Sequence, residues 1–173
     1  KEPSLTSIER FQTTYSSCGL CGATSLKALE LKNPPSLTTL TDQLKFSVDL
    51  IFTLADSMRA KQVFVKKTGG VHASALFNQQ AQLLNVFEDI GRHNAVDKVI
   101  GQHLLEQSVL QTNQLLILVV SGRVSFEIVQ KAVMAGISIL VAVGAPSELA
   151  IKAAQRFELT LIGFANNDSF NLY

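Results

Sequence analysis

Cys18-Gly19-Leu20-Cys21-Gly22 holds both cysteines of the chain. Close thiols between glycines suit metal ligation, a redox couple or the carriage of sulfur. The thiolate is the reactive form, and nearby positive charge or a helix N-terminus lowers its pKa. A carrier needs a thiol that swings between donor and acceptor, which flanking glycines permit. The pair alone does not separate these chemistries, and two plain loop cysteines stand as the simplest alternative. Zinc needs four ligands in a structural site, or three plus water in a catalytic one. The other soft ligands are His72, His93 and His103, with no second CxxC and no HxxxH spacing. His103 falls on an apolar helical stripe and reads as a core histidine, so a Cys2His2 site would need His72 and His93. Thioredoxin-like chemistry expects the pair at a helix start directly after a strand, and only a weak strand signal, Phe11 to Tyr15, precedes it.

Other residues suit an anion. Gly69-Gly70-Val71-His72-Ala73 puts a histidine beyond two glycines, where backbone can approach a ligand closely. Glu88-Asp89-Ile90-Gly91-Arg92-His93-Asn94-Ala95-Val96-Asp97-Lys98 is the densest polar stretch. It lies at a strand-to-helix junction, where helix N–H groups and Arg92 can meet an anion and Asp97 can orient His93. A solvated helix start with local salt bridges explains the same residues. Ser121-Gly122-Arg123, Gly144-Ala145-Pro146-Ser147 and Gly163-Phe164-Ala165-Asn166 each follow a strand signal. Parallel strands would gather them on one rim, the usual ligand edge of an open α/β sheet. A small phosphorylated or nucleotide ligand is then expected, although there is no P-loop sequence. Taken singly, each loop reads equally as a simple turn of the chain.

These loops need elements to hold them. A helix is predicted from Ser47, with Val48, Ile51, Phe52, Ala55 and Met58 on one stripe. His72–Phe77 and Leu83–Phe87 predict an antiparallel hairpin. Asn94 is expected to cap a helix to about Gln107, with Val96, Val99, Ile100, His103 and Leu104 inside. Leu115–Val120, Ile139–Val143 and Thr160–Phe164 predict strands. Between them, Ser125–Ala135 predicts a helix with Glu127 and Lys131 paired on its outer face, and another helix starts at Pro146. A short helix is predicted over Ala23–Leu31, stopped by Pro34-Pro35. The alternation implies an α/β fold, a three-layer α/β/α sandwich with a mostly parallel sheet and one antiparallel hairpin. Residues 1–45 form a segment carrying the CxxC loop, and 46–173 the core.

The chain has 173 residues, 47% of them hydrophobic, and 15 Lys and Arg against 14 Asp and Glu. That length suits one domain with a core of its own. A net charge of +1 argues against nucleic acid or an acidic membrane surface as partner. The longest apolar run, Leu115–Val120, is far short of the roughly 18 residues of a membrane span. Two cysteines are too few for a disulfide scaffold, so a reducing cytoplasmic compartment is expected.

Taken in order, the blocks resemble the FdhD family of formate dehydrogenase accessory proteins. They are Cys18 to Gly22, Thr68 to Ala73, Glu88 to Lys98, Ser121-Gly122-Arg123-Val124-Ser125, Gln130-Lys131-Ala132, Ala145-Pro146-Ser147 and Gly163-Phe164. Any one is weak; the ordered set is highly specific. The resemblance implies a sulfur carrier, a sulfurtransferase working by persulfide relay. It takes persulfide sulfur from a cysteine desulfurase and hands it to the molybdenum bis(molybdopterin guanine dinucleotide) cofactor before that cofactor enters apo-formate dehydrogenase. Cys18 is then the persulfide carrier and Cys21 assists. The cofactor-binding stretch becomes Phe164, Ala165, Asn166, Asn167, Asp168 and Ser169, while Arg92, His93, Gly122 and Arg123 serve the rim. The cofactor is a visiting client, and no resident metal or tightly held cofactor is expected. A homodimer is expected on family grounds only. The resemblance also implies a cytidine-deaminase-like sandwich.

Three departures qualify it. Asn166 stands where the family usually has Arg, Gly144 where it often has Ser, and a β-rich segment ahead of the cysteines is absent, so a fragment is expected. Deamination is rejected: His72-Ala73-Ser74 replaces His-x-Glu, and no Pro precedes Cys18. The rival readings are a non-catalytic chaperone for the molybdenum cofactor and a small zinc-binding module.

Overall fold

Leu116–Val120 is buried along its whole length, which explains its unbroken apolar sequence. Leu116, Leu118 and Val120 face one core, and Ile117 and Val119 the other. A strand packed on both faces has no polar side to present. Each such side chain contributes about 1.5–3 kcal/mol of hydrophobic stabilisation. The computed structural model describes residues 34–37, 48–106 and 115–173. Cys18, Cys21, the helix expected over 23–31, the N-cap expected at Ser47 and most of the segment 1–45 lie outside the described residues.

The elements in chain order are α1 (Val48–Lys61), α2 (Val65–Thr68), β1 (His72–Asn78), β2 (Leu83–Asp89), α3 (Arg92–Glu106), β3 (Leu116–Val120), α4 (Phe126–Met134), β4 (Ile139–Ala142), α5 (Glu148–Arg156), β5 (Thr160–Gly163) and β6 (Asn171–Leu172). They build one sheet of order β2-β1-β3-β4-β5-β6. Ile51, Leu54 and Met58 of α1 cover one face, and α3, α4 and α5 cover the other. Three layers result. No helix among the described residues is long and apolar enough to cross a membrane.

The expectation of a mostly parallel sheet is corrected. β3–β4 and β4–β5 are parallel, but β1–β2, β1–β3 and β5–β6 are antiparallel. The hairpin supplies one reversal. Its first strand then pairs antiparallel with β3, with Ser74 opposite Val120. The last reversal is β6, only two residues long and too short to show a period in sequence.

Several helical faces also differ from expectation. Leu54 joins Ile51, Ala55 and Met58 inside, while Phe52 is half-buried and meets Phe170 at 5.5 Å between ring centroids. α3 starts at Arg92 rather than after Asn94, and its buried face is Ala95, Val96 and Val99. His103 is not a core histidine: it lines an open cleft with Asn78, Gln80 and Leu84, and Leu104 is exposed. Pro146 does not open α5. It bridges to Val124, and Ser147 caps the helix by accepting from the Ala150 N–H at 3.2 Å.

Lys131 is the largest correction. It does not share an outer face with Glu127; its side chain is 2% exposed and meets Asp97 at 2.5 Å. This pair ties α4 to α3. Breaking a buried pair strands a charge at a cost of roughly 3–5 kcal/mol. Asp97 is 41% exposed, which lowers that figure. Asp97→Ala is therefore expected to lower unfolding free energy by about 1–3 kcal/mol, read from the urea midpoint at constant m-value. An unchanged midpoint would remove the pair from the forces that hold α3 on α4.

Candidate functional site

The loops after β3 and β4 continue the sheet as a backbone zipper. Val143 N donates to Val120 O at 3.1 Å, Gly144 N to Gly122 O at 3.2 Å, Val124 N to Ala145 O at 3.0 Å and Ser147 N to Val124 O at 2.9 Å. A Cβ at Gly144 would lie 2.7 Å from Arg123 N and from Gly122 C and O. Only glycine lets the two backbones come this close. The departure at Gly144 thus has a local reason in this chain. The β5 end joins the same edge: Phe164 N donates to Gly144 O at 3.2 Å, and Ala165 N to Ala142 O at 2.9 Å.

The hairpin brings the remaining side chains. Ala73 N donates to Ser121 Oγ at 2.9 Å, and Ser121 N to Ala73 O at 3.0 Å. His72 therefore lies against Gly122, where a Cβ would sit 3.1 Å from its Nδ1 and 3.6 Å from Arg92 Cδ. The expected rim exists: Gly122, Arg123, Gly144 and Phe164 from three strand ends, with His72 and Arg92 beside Gly122. The Nε of Arg92 is buried and has no hydrogen-bond partner. Arg123 is exposed. Phe164 is about half-exposed and holds φ +56°. Left-handed backbone in a bulky residue costs on the order of 1–3 kcal/mol and clusters at functional sites.

The polar stretch 88–98 divides in two. Glu88 accepts from the N–H groups of Val63, Phe64 and Val65 at 2.7, 2.8 and 2.9 Å. Burial raises its pKa, but those donors outweigh it and hold the carboxyl below its ordinary value. Asp89 meets Lys98 at 2.6 Å and accepts from Gly91 N at 2.8 Å and Asn94 Nδ2 at 3.2 Å. Lys98, then the Gly91 N–H, lower Asp89 to about 2. Asp97 serves Lys131 instead of orienting His93. Local helix-start bonding thus accounts for Asp89, Asn94 and Lys98, the distant 63–65 backbone accounts for Glu88, and Arg92 and His93 are left to the rim.

His93 has a different partner from the one expected. Its Nε2 is 3.1 Å from Ser125 Oγ. Burial, then the charge of Arg92, lowers its pKa, so the ring is neutral at pH 7. In the sequence Ser125 reads as the first residue of the predicted helix and the last of a family block, and Glu127 as an outer-face residue. Ser125 joins the site through its contact with His93 on α3, and the charge of Glu127 acts on the same ring.

Asn166 fills no cation's place. Its Oδ1 accepts from Asp168 N and Ser169 N, both at 2.9 Å, and its Nδ2 donates to Phe164 O at 3.2 Å and Ser169 Oγ at 3.1 Å. It closes the 164–169 loop as an Asx turn. Ala165 is buried, and Asn167 borders a shallow hollow beside Phe52 and Asp56 on α1. The segment is therefore split between the rim and the α1 face. Among the described residues no group of three or more His, Cys, Asp and Glu is placed to hold a metal.

The FdhD/NarQ family model matches residues 1–173. The chain is 45% identical to the sulfur carrier protein FdhD of Streptomyces avermitilis over 166 residues, covering 96% of this chain and 58% of that protein. It is 45% identical over 158 residues to the protein of the same name in Saccharolobus solfataricus, covering 91% and 58%. A crystal structure of a proposed formate dehydrogenase accessory protein from Desulfotalea psychrophila is similar at TM-score 0.67 and 28% identity, covering 80% of this chain and 55% of that one. The chain thus spans less than two thirds of the length of these relatives.

Gly144→Ala should force the zipper apart and destabilise the chain by about 1–3 kcal/mol, the usual penalty of overpacking; thermal denaturation beside the wild type checks it. Asp89 supplies a pH dependence. Its folded carboxyl titrates near 2 against an ordinary 3.8, so its contribution is complete above the ordinary value and is lost as pH falls through the folded one. In Asp89→Asn the melting temperature should vary less with pH between about 4 and about 2, and an unaltered slope would remove Asp89 from acid unfolding.

Proposed function

The chain belongs to the FdhD/NarQ family, and from that membership we propose that it is a sulfur carrier for formate dehydrogenase. Cys18 takes sulfur as a persulfide. Its thiolate attacks the terminal sulfur of a donor persulfide on a cysteine desulfurase, a new S–S bond forms on Cys18, the donor's S–S bond breaks, and the donor leaves as a thiolate. Cys21 assists. The acceptor is the molybdenum bis(molybdopterin guanine dinucleotide) cofactor destined for apo-formate dehydrogenase, held as a substrate and released.

The single observation that favours this client is the buried, partnerless Nε of Arg92 beside Gly122. A buried guanidinium donor without a partner is costly until an acceptor completes it, and among acceptors arginine matches phosphate geometry well. Arg123 adds charge from the next position, and the exposed ring of Phe164 offers an apolar face at the same edge. His93 flanks this set. The three-layer architecture fits a cytidine-deaminase-like sandwich put to a different use. The loop 164–169 meets the client mainly through Phe164 and backbone, since Asn166 is engaged within the loop.

Incubation with a cysteine desulfurase and free cysteine, followed by intact mass, tests the carrier step. The wild type should gain about 32 Da, one sulfur atom, and Cys18→Ala should gain none. A wild type without the adduct overturns the reading and favours a chaperone that binds the cofactor without carrying sulfur.

A further inference from the structure

β2 closes one end of the sheet and pairs with β1 alone among the described residues. In an antiparallel ladder successive residues turn their backbone groups alternately to the partner strand and away from it. Here β1 fixes the direction. Ala73 N donates to Ser121 Oγ and Ala73 O accepts from Ser121 N, so the Ala73 backbone faces β3. Glu88, which lies opposite Ala73, therefore faces outward, and Lys98 Nζ reaches its carbonyl at 3.2 Å from that side. By the same alternation Val86, opposite Ala75, faces outward too. Proteins ordinarily blunt such edges. Lys98 does so at the Glu88 carbonyl, and the bulge that leaves Leu84 without an opposite residue does so at the other end. Between them Val86 N–H, Val86 C=O and Glu88 N–H stay open.

These groups open into a cleft of about 510 Å³. Lys61, Val63 and Phe64 bound it on the α1 face of the sheet, Lys98 bounds it on the α3 face, and Val86 and Glu88 form its floor. Phe64 and Val63 remain 58% and 54% exposed, so apolar surface lies uncovered beside open backbone. Lys61, Lys66 and Lys67 are exposed next to it and make no ion pair among the described residues. The acids at this edge are already engaged, Glu88 by the 63–65 backbone and Asp89 by Lys98.

We propose that the β2 edge takes an extended acidic segment of a partner polypeptide as an added strand. Its backbone pairs with Val86 and Glu88, an apolar side chain packs on Val63 and Phe64, and its carboxylates meet Lys61, Lys66 and Lys67. A second copy of this chain fits less well, because two such edges paired about a two-fold axis set lysines against lysines. A membrane surface has no strand to match the backbone at the floor of the cleft. The surface is independent of the sulfur-carrier reading.

The probe is a labelled peptide of alternating glutamate and valine, with the lysine and valine counterpart as control. Fluorescence anisotropy should show saturable binding of the acidic peptide alone, and hydrogen exchange should slow at the Val86 and Glu88 amides. Val86→Pro removes an N–H that bonds nothing in the sheet, which an edge strand tolerates, and should abolish binding. A peptide methylated at its backbone nitrogens keeps its charge and should not bind, a result that needs no variant to fold. Lys61→Glu should weaken binding severalfold. No saturable binding at millimolar peptide overturns the proposal. So does binding that survives both Val86→Pro and backbone methylation, which makes it an effect of charge alone. Binding to phosphatidylserine vesicles in place of the peptide assigns the edge to a membrane, and dimerisation through Val86 without peptide binding assigns it to a second copy; either result also overturns it.

Discussion

The rim depends on one close approach. Gly144 lies against the backbone of Gly122 and Arg123 with no space for a Cβ. That contact lets the loops after β3 and β4 exchange hydrogen bonds as though the strands continued. It carries Arg123 and Ser125 to fixed places at the strand ends, and it presents Gly144 O to the Phe164 N–H. A looser junction would leave these loops as separate turns. The site is precise because backbone, rather than long side chains, sets its geometry.

Charge at the rim is sorted by pairing. Asp89 with Lys98 and Asp97 with Lys131 absorb two acids and two bases into the scaffold. Glu88 is absorbed by the turn ahead of β1. What is left toward the strand ends is Arg92 and Arg123 with the carboxylate of Glu127, and a neutral His93 between α3 and α4. Two guanidinium groups against one carboxylate favour an anionic visitor. The same Asp97–Lys131 tie holds α3 against α4, so scaffold and site share one ion pair.

His93 shows how environment redirects a residue. Beside Asp97 in sequence, it looks like half of a His–Asp pair. In space Asp97 turns to the buried ammonium of Lys131, whose need for a counter-charge is greater. Burial and Arg92 then hold the ring neutral, and a hydroxyl from another helix replaces the carboxylate as its partner.

Much of this was legible in the residues. The apolar run at β3 announced a doubly covered strand, the hairpin announced itself by its polar turn, and the glycine-bearing strand ends marked the rim. These signals are local: periodicity, turn chemistry and apolar content act within a few residues of chain. The antiparallel pairing of β1 with β3, the β6 addition, the burial of Lys131 and the union of His93 with Ser125 were not legible. Each joins residues distant in sequence, and each was decided by which surfaces must be covered and which buried charges must be matched once the layers close. Sequence alone determined the elements and the chemical kinds available at their ends. Tertiary structure decided which of those groups meet, because partners for buried charge and backbone are chosen by distance through space and not along the chain.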